Sequence, residues 1–179
     1  GMQSAGAGSD VDLVLTTREL ARIVRAEHID VEQLADSPFD DPLGNGSGAG
    51  VIFGATGGVM EAALRSAYFL TTGENPSADA FCEVRAAENE SRPWREAAFD
   101  LAGTTIHCAV ASGLANARHL IRAIKRREVH YEFVEIMACP GGCAGGGGQP
   151  VDGSDREKAA SRGDVLFSLD EKAELRFSH

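Results

Sequence analysis

Two thiols, Cys139 and Cys143, sit in the stretch Glu135-Ile136-Met137-Ala138-Cys139-Pro140-Gly141-Gly142-Cys143-Ala144-Gly145-Gly146-Gly147-Gly148-Gln149-Pro150. No bulky side chain follows to shield them. Pro140 fixes one φ and withholds an amide, while the glycines permit left-handed φ values and close backbone approach. Such a loop suits backbone N–H groups turned toward a bound, negatively charged, sulfur-rich object. Three chemistries compete for the Cys-x3-Cys spacing. Structural zinc accepts it but needs two further ligands, and no second Cys/His pair is in view. A redox dithiol prefers a two-residue gap at a helix start. Half of an iron-sulfur ligand set, completed by cysteines elsewhere, fits best.

An apolar run over Val129 to Ala138 is expected to be the last core strand, delivering Cys139 at its carboxyl end. Upstream, Asp12 to Thr16 reads as a short buried strand, and Thr16-Thr17-Arg18-Glu19 offers a capping box for a helix with Leu20, Ile23, Val24 and Ile29 on one face. Gly50 to Thr56 reads as a second buried strand. Gly57-Gly58 then opens a helix with Val59, Ala63, Ala67 and Leu70 on one face. That turn lacks the Lys-Ser or Lys-Thr ending of a P-loop, and its spacing is not the dinucleotide fingerprint, so a tight turn or the wall of another cofactor's site is the better reading.

Ala80 to Val84 is a short strand candidate. Thr104 to Ala111 is a stronger one, β-branched and suited to the centre of a sheet. Cys82 and Cys108 then become small core residues. A helix follows with Leu114, Ala117, Ile121 and Ile124 on one face. Its basic tail, Arg118, His119, Arg122, Lys125, Arg126 and Arg127, reads as a solvated face suited to the helix C-terminal dipole, or more sharply as a dock for an acidic electron carrier. Beyond Pro150, a polar stretch precedes a short helix, with Val165-Leu166-Phe167 strand-like or helical. Alternating strands and helices imply an α/β fold with a mainly parallel sheet of about four strands flanked by helices. Both glycine turns, Gly54 to Gly58 and Cys139 to Gly148, would meet beyond the carboxyl ends of strands.

The chain has 179 residues, 43% of them hydrophobic, enough for one domain with a core. A net charge of -10 disfavours nucleic acid or an anionic membrane as main partner. No apolar run reaches spanning length, and Gly1 to Ser9 has neither the basic nor the apolar region of a signal peptide, so a soluble, cytoplasmic protein is expected. Gly1 before Met2 reads as the scar of a cleaved tag, with residues 1–9 a flexible start, 10–179 the domain and 36–50 a loop. Four cysteines are too few for a disulfide scaffold.

Glu135-x-Met137-x-Cys139-x3-Cys143-x2-Gly146-Gly147-Gly148-Gln149-Pro150 resembles the third signature of iron-only ([FeFe]) hydrogenase large subunits. Asp12 to Leu20, Phe53 to Arg65 and Asn116-Ala117-Arg118 are similar to the same family in the same order. The family's two earlier signatures, Cys-Cys-Pro-Gly-Trp and Met-Pro-Cys, do not occur here. The resemblance therefore implies the C-terminal lobe of the catalytic domain, whose partner is the N-terminal half. It further implies that Cys139 ligates the [4Fe-4S] cubane of the H-cluster, and that Cys143 ligates it while bridging to a di-iron subsite. Met137, Phe53 and Thr56 would line the catalytic pocket, with Gly54 and Gly142 among the cofactor-binding positions. The implied reaction is reversible reduction of protons to hydrogen, with ferredoxin or another carrier supplying electrons. No complete cluster is expected on this chain alone. A non-catalytic iron-sulfur assembly protein, similar to the prelamin-recognition-factor-like group, is the alternative.

Overall fold

A computed structural model describes residues 10–38, 40, 44, 46–77, 79–85, 91–151 and 155–178, with 155–157 as backbone only. Its sheet is built from β1 (Arg95–Leu101), β2 (Thr104–Ser112) and β3 (Phe133–Met137), in the order β1-β2-β3. β1 and β2 form an antiparallel hairpin, closed by Ala102 and Gly103 at φ 53° and 85°. Positive φ at both positions matches the right-handed twist of the flanking strands. β2 and β3 are parallel, joined by helix α4 (Leu114–Lys125), with Ser112 opposite Met137. The α/β class holds, with three strands among the described residues.

Strand alternation sends β2 side chains to two cores. Cys108 and Val110 join Phe99, Phe81, Val84 and the helix α3 (Gly58–Thr72), which contributes Met60 and Leu64. Ala109 and Ala111 face Trp94 and the α4 residues Ala117, Leu120 and Ala123. Helices thus cover both faces of the central strand. Phe81 and Phe99 meet edge to face, with ring centroids 5.2 Å apart.

Several expected elements are corrected. Asp12 to Thr16 forms no ladder with any described residue, and Leu13 and Val14 are 70% and 83% exposed. The capping box behind it does form, initiating α1 (Thr17–Ala26) with Thr16 and Glu19 bonded reciprocally. The apolar face of α1 is uncovered among the described residues, since Leu20 and Ile23 are exposed. Gly50 to Thr56 is helical rather than extended: α2 (Gly48–Val51) continues into a 3₁₀ turn, Ile52–Gly54. Its apolar, glycine-rich character serves close helix packing, since a Cβ on Gly48 would lie 2.9 Å from the Asp170 backbone.

Ala80 to Val84 likewise belongs to a 3₁₀ region, Cys82–Arg85, which leaves Cys82 exposed; Cys108 is buried as expected. On α3 the buried residues are Gly58, Met60, Glu61, Ala62, Leu64 and Arg65, while Leu70 is exposed. On α4, Ala117 is buried as expected, but Leu120 and Ala123 replace Leu114, Ile121 and Ile124 on the core face. In place of the expected short helix stands α5 (Asp155–Lys172), 18 residues long, which includes Val165 to Phe167. Residues 1–9, together with 39, 41–43 and 45 of the expected loop, lie outside the described residues, and Gly48 to Gly50 of that loop are helical.

Candidate cluster-binding site

β3 ends at Met137, whose carbonyl accepts the Gly113 N–H at 2.8 Å, and the chain turns directly into the cysteine loop. Gly141 and Gly142 adopt φ 80° and 76°, a left-handed pair that allows the Gly142 N–H to reach the Cys139 carbonyl at 3.0 Å. A 3₁₀ turn, Cys143–Gly145, follows. The Cys139 thiol is half-buried and the Cys143 thiol exposed.

The two glycine turns meet, although only the cysteine loop follows a strand; Gly54 to Gly58 continues from the 3₁₀ turn after α2. A Cβ on Gly142 would lie 2.8 Å from the Gly54 carbonyl oxygen and 3.0 Å from the Thr56 nitrogen, so the cysteine loop rests directly on the turn after α2. Thr56 is buried, and its hydroxyl donates to Ser112 Oγ at 3.4 Å. Ser112 Oγ in turn accepts the Gly141 N–H at 2.8 Å. Phe53 is 47% exposed, and Met137 is half-buried. A cavity of about 700 Å³ adjoins the loop, lined by Thr56, Ser112, Gly141 and Gly145, by Arg95 and by the α5 residue Phe167.

Side chains from distant elements bind the loop's carbonyl groups. Arg162 on α5 donates to the Ala144 and Pro150 carbonyls at 3.0 and 2.7 Å. The Arg18 amide donates to Gly148 O at 3.0 Å, and its guanidinium donates to Gly147 O. Ala159 packs beneath Gly141 and Gly145, where added Cβ atoms would approach it to 2.8 and 3.0 Å. Behind the loop, the Glu135 carboxylate accepts the Gly57 and Met60 N–H groups, each at 2.7 Å. Burial pushes the Glu135 pKa above the ordinary carboxylate value even though both hydrogen bonds favour the ionised form.

The thiols stand out in the sequence, whereas the roles of Arg18, Ser112, Glu135 and Arg162 emerge only from the structure. Glu135 had a faint signal, a carboxylate within an apolar strand. Arg162 had none, because its contact depends on where α5 lies. The donor set is soft sulfur on a loop with adaptable backbone, which fits an iron-sulfur cluster in kind. Two thiolates are half of what a cubane takes, and among the described residues no group of three or more metal-ligating side chains forms.

Residues 2–147 match the family described as iron only hydrogenase large subunit, C-terminal domain. The chain belongs to that family. It is 44% identical over 176 residues to the NADP-reducing hydrogenase subunit HndD of Solidesulfovibrio fructosivorans, covering 98% of this chain and 29% of that protein. Protein NAR1 of Arabidopsis thaliana is 35% identical over 148 residues, covering 79% of this chain and 30% of the relative. Among solved structures, the [FeFe]-hydrogenase HydA1 from Chlamydomonas reinhardtii superposes with a TM-score of 0.71 at 38% identity, covering 94% of this chain and 48% of the other. The chain therefore spans about half of that structure and about a third of the length of the curated relatives it matches. No helix among its described residues is long and apolar enough to cross a membrane.

Proposed function

We propose that this chain is the C-terminal part of an [FeFe] hydrogenase catalytic domain that reversibly reduces protons to hydrogen. The observation carrying this reading is the seating of the Cys139/Cys143 loop on the Phe53 to Thr56 turn, in a chain 44% identical to a hydrogenase subunit and 35% identical to NAR1. Cys139 and Cys143 would hold the cubane of the H-cluster, with Cys143 the ligand toward the di-iron subsite. Met137, Phe53 and Thr56 would border the reacting side, and the Gly54 and Gly142 backbone would lie against the cluster. When bound, the cluster supplies the redox and hydrogen chemistry; this chain's residues orient it and exclude water.

The remaining ligands come from the N-terminal half of the domain. Support for such a partner lies in the apolar residues Leu13, Val14, Leu20 and Ile23, which are exposed and have no core of their own among the described residues. Ferredoxin or another small carrier delivers electrons. The cytoplasm is the proposed compartment, where a reducing thiol pool keeps exposed cysteines such as Cys82 and Cys143 free.

The test is to join this chain to the upstream half, supply the maturation machinery and assay hydrogen evolution. Activity that disappears in Cys143→Ser but survives in Met137→Leu supports the reading. A stable cluster without turnover favours the second reading, a non-catalytic assembly protein, which the similarity to NAR1 makes specific. A brown four-iron cluster on this polypeptide alone would sink the proposal that its ligand set is half complete.

A further inference from the structure

Helix α3 has no N-terminal side-chain cap of its own, because its cap position is Gly57, at φ 90°. A Cβ there would stand 2.6 Å from the Val84 carbonyl oxygen, so a serine or aspartate is excluded on two counts. The missing cap arrives from another element. Glu135 reaches across from β3, and its two carboxylate oxygens take the Gly57 and Met60 N–H groups separately, at 2.7 Å each. These are among the orphan donors at the helix start. The residue is only 7% exposed.

We propose that Glu135 is a positioning residue for the cluster site: a strut that fixes the distance between β3, which carries Met137 and Cys139, and the turn carrying Phe53, Gly54 and Thr56. Its place in the chain is what gives this effect. Met137 lies two residues beyond it on the same strand, and Cys139 two further, while Gly57 directly follows the turn on which Gly142 rests. Ser112 ties the loop to β2 from the other side through the Gly141 N–H. With the sheet and Ser112 fixing two directions, the Glu135 carboxylate fixes the third. The consequence for a cluster rests on the hydrogenase-family reading of Cys139 and Cys143, but the strut itself does not.

Stability alone gives little reason for the carboxylate. Burial raises its pKa despite two hydrogen bonds and the nearby Arg95 cation, so the ionised group is held there against desolvation. Glutamine has the same length but presents one acceptor and one amide donor, and the donor would oppose one of the two backbone N–H groups. Aspartate keeps the charge but is one methylene too short to reach both.

The experiment uses the metal-free chain. Residue-resolved mass spectrometry follows alkylation by limiting iodoacetamide, with exposed Cys82 as internal reference. The Cys139-to-Cys82 rate ratio is expected to rise several-fold in both Glu135→Gln and Glu135→Asp, with the thermal midpoint of Glu135→Gln close to the parent's. Leu120→Ala, in the core beneath α4, supplies a destabilised control that leaves the strut intact. An unchanged ratio in both Glu135 variants, an equal rise in Leu120→Ala, or rescue by aspartate overturns the proposal. On the unmutated chain, the amide protons of Gly57 and Met60 are expected to resonate downfield and to titrate together with one midpoint above the ordinary glutamate value. Independent titration, or none, also overturns it. Failure of the hydrogen-evolution assay leaves these readouts unaffected, so the two ideas fail separately.

Discussion

Removal of Asp170 is predicted to be more damaging than removal of its main partner, Arg65. Five charged side chains meet between α3, the 3₁₀ segment at Cys82–Arg85, α5 and the C-terminal tail. Arg65 donates to Asp170 in a two-point fork at 2.9 and 2.8 Å and to Glu61 at 2.6 Å. Arg85 donates to both Glu61 oxygens at 2.5 Å, and Arg176 donates to Asp170 at 2.8 Å. Arg65, Glu61 and Asp170 are at most 1% exposed, so water screens these contacts little. At an effective dielectric constant of about 20, two unit charges about 4 Å apart interact by about 4 kcal/mol, favourably or otherwise.

Within the buried cluster the three guanidiniums outnumber the two carboxylates; Asp79, 68% exposed and 3.7 Å from Arg176, adds only a contact that water screens. Arg65→Met leaves two of each sign, with Arg85 still on Glu61 and Arg176 still on Asp170, and it fills the space with an aliphatic chain. Asp170→Asn leaves three cations around a single carboxylate. Breaking a buried pair so that charge is stranded costs about 3–5 kcal/mol, and Asp170→Asn belongs in that range. Arg65→Met is expected to cost less, about 1–3 kcal/mol, because the residual charges balance. Urea unfolding followed by far-ultraviolet circular dichroism, with equal m-values, measures both. If Arg65→Met proves the costlier change, or Asp170→Asn costs under about 1 kcal/mol, charge balance does not govern this cluster.

The same cluster sets the acid limit. Burial pushes the Asp170 pKa up, but hydrogen bonds from Arg65 and Arg176 outweigh it and hold the folded value below 3.8. Its contribution is therefore present above the unfolded pKa and lost as pH falls through the folded one, so the advantage of the parent over Asp170→Asn should persist at pH 5 and shrink only below pH 3.8. Glu135 has the opposite sign: with its folded pKa above 4.5, its contribution is greatest below that value and declines as pH rises through the folded pKa, so Glu135→Gln should compare least favourably with the parent in acid. Gly58→Ala would place a Cβ 2.6 Å from the Ile52 carbonyl carbon and should cost at least about 2 kcal/mol in thermal unfolding, whereas Gly147→Ala, with nothing within 4 Å, should change stability by under about 1 kcal/mol. Burial pushes the Cys108 thiol up to about 11, so mass mapping at neutral pH should find it unalkylated until the chain unfolds, long after Cys82 and Cys143 have reacted.

The elements whose sequence signals are local could be recognised without the structure. The Thr16/Glu19 capping box, the glycine opening of α3, the β-branched run of β2 and the arrival of Cys139 at the end of β3 each depend on residues a few positions apart. Misreadings arose where apolar content reported burial without reporting backbone conformation. Gly50 to Thr56 has the hydrophobicity of a strand, but its small residues lie against α5 and the helix start of α3. β1 was missed for the converse reason: Arg95-Glu96-Ala97-Ala98-Phe99-Asp100 has no β-branched residue, and its ladder depends on β2.

α5 shows how such a gap reaches the site. Its sequence is polar, yet Ala159 supports the glycine loop, Arg162 binds two loop carbonyls and Asp170 anchors Arg65 on α3. One helix thus connects the loop holding the thiols to the helix whose start holds Glu135. Small and charged residues dominate those contacts, so hydrophobic periodicity cannot reveal them. The thiols were legible because cysteine chemistry is carried by residue type and spacing. The parts that aim them were not, because an arginine on a carbonyl or a glutamate on a helix start acquires its role only when the chain brings the two together.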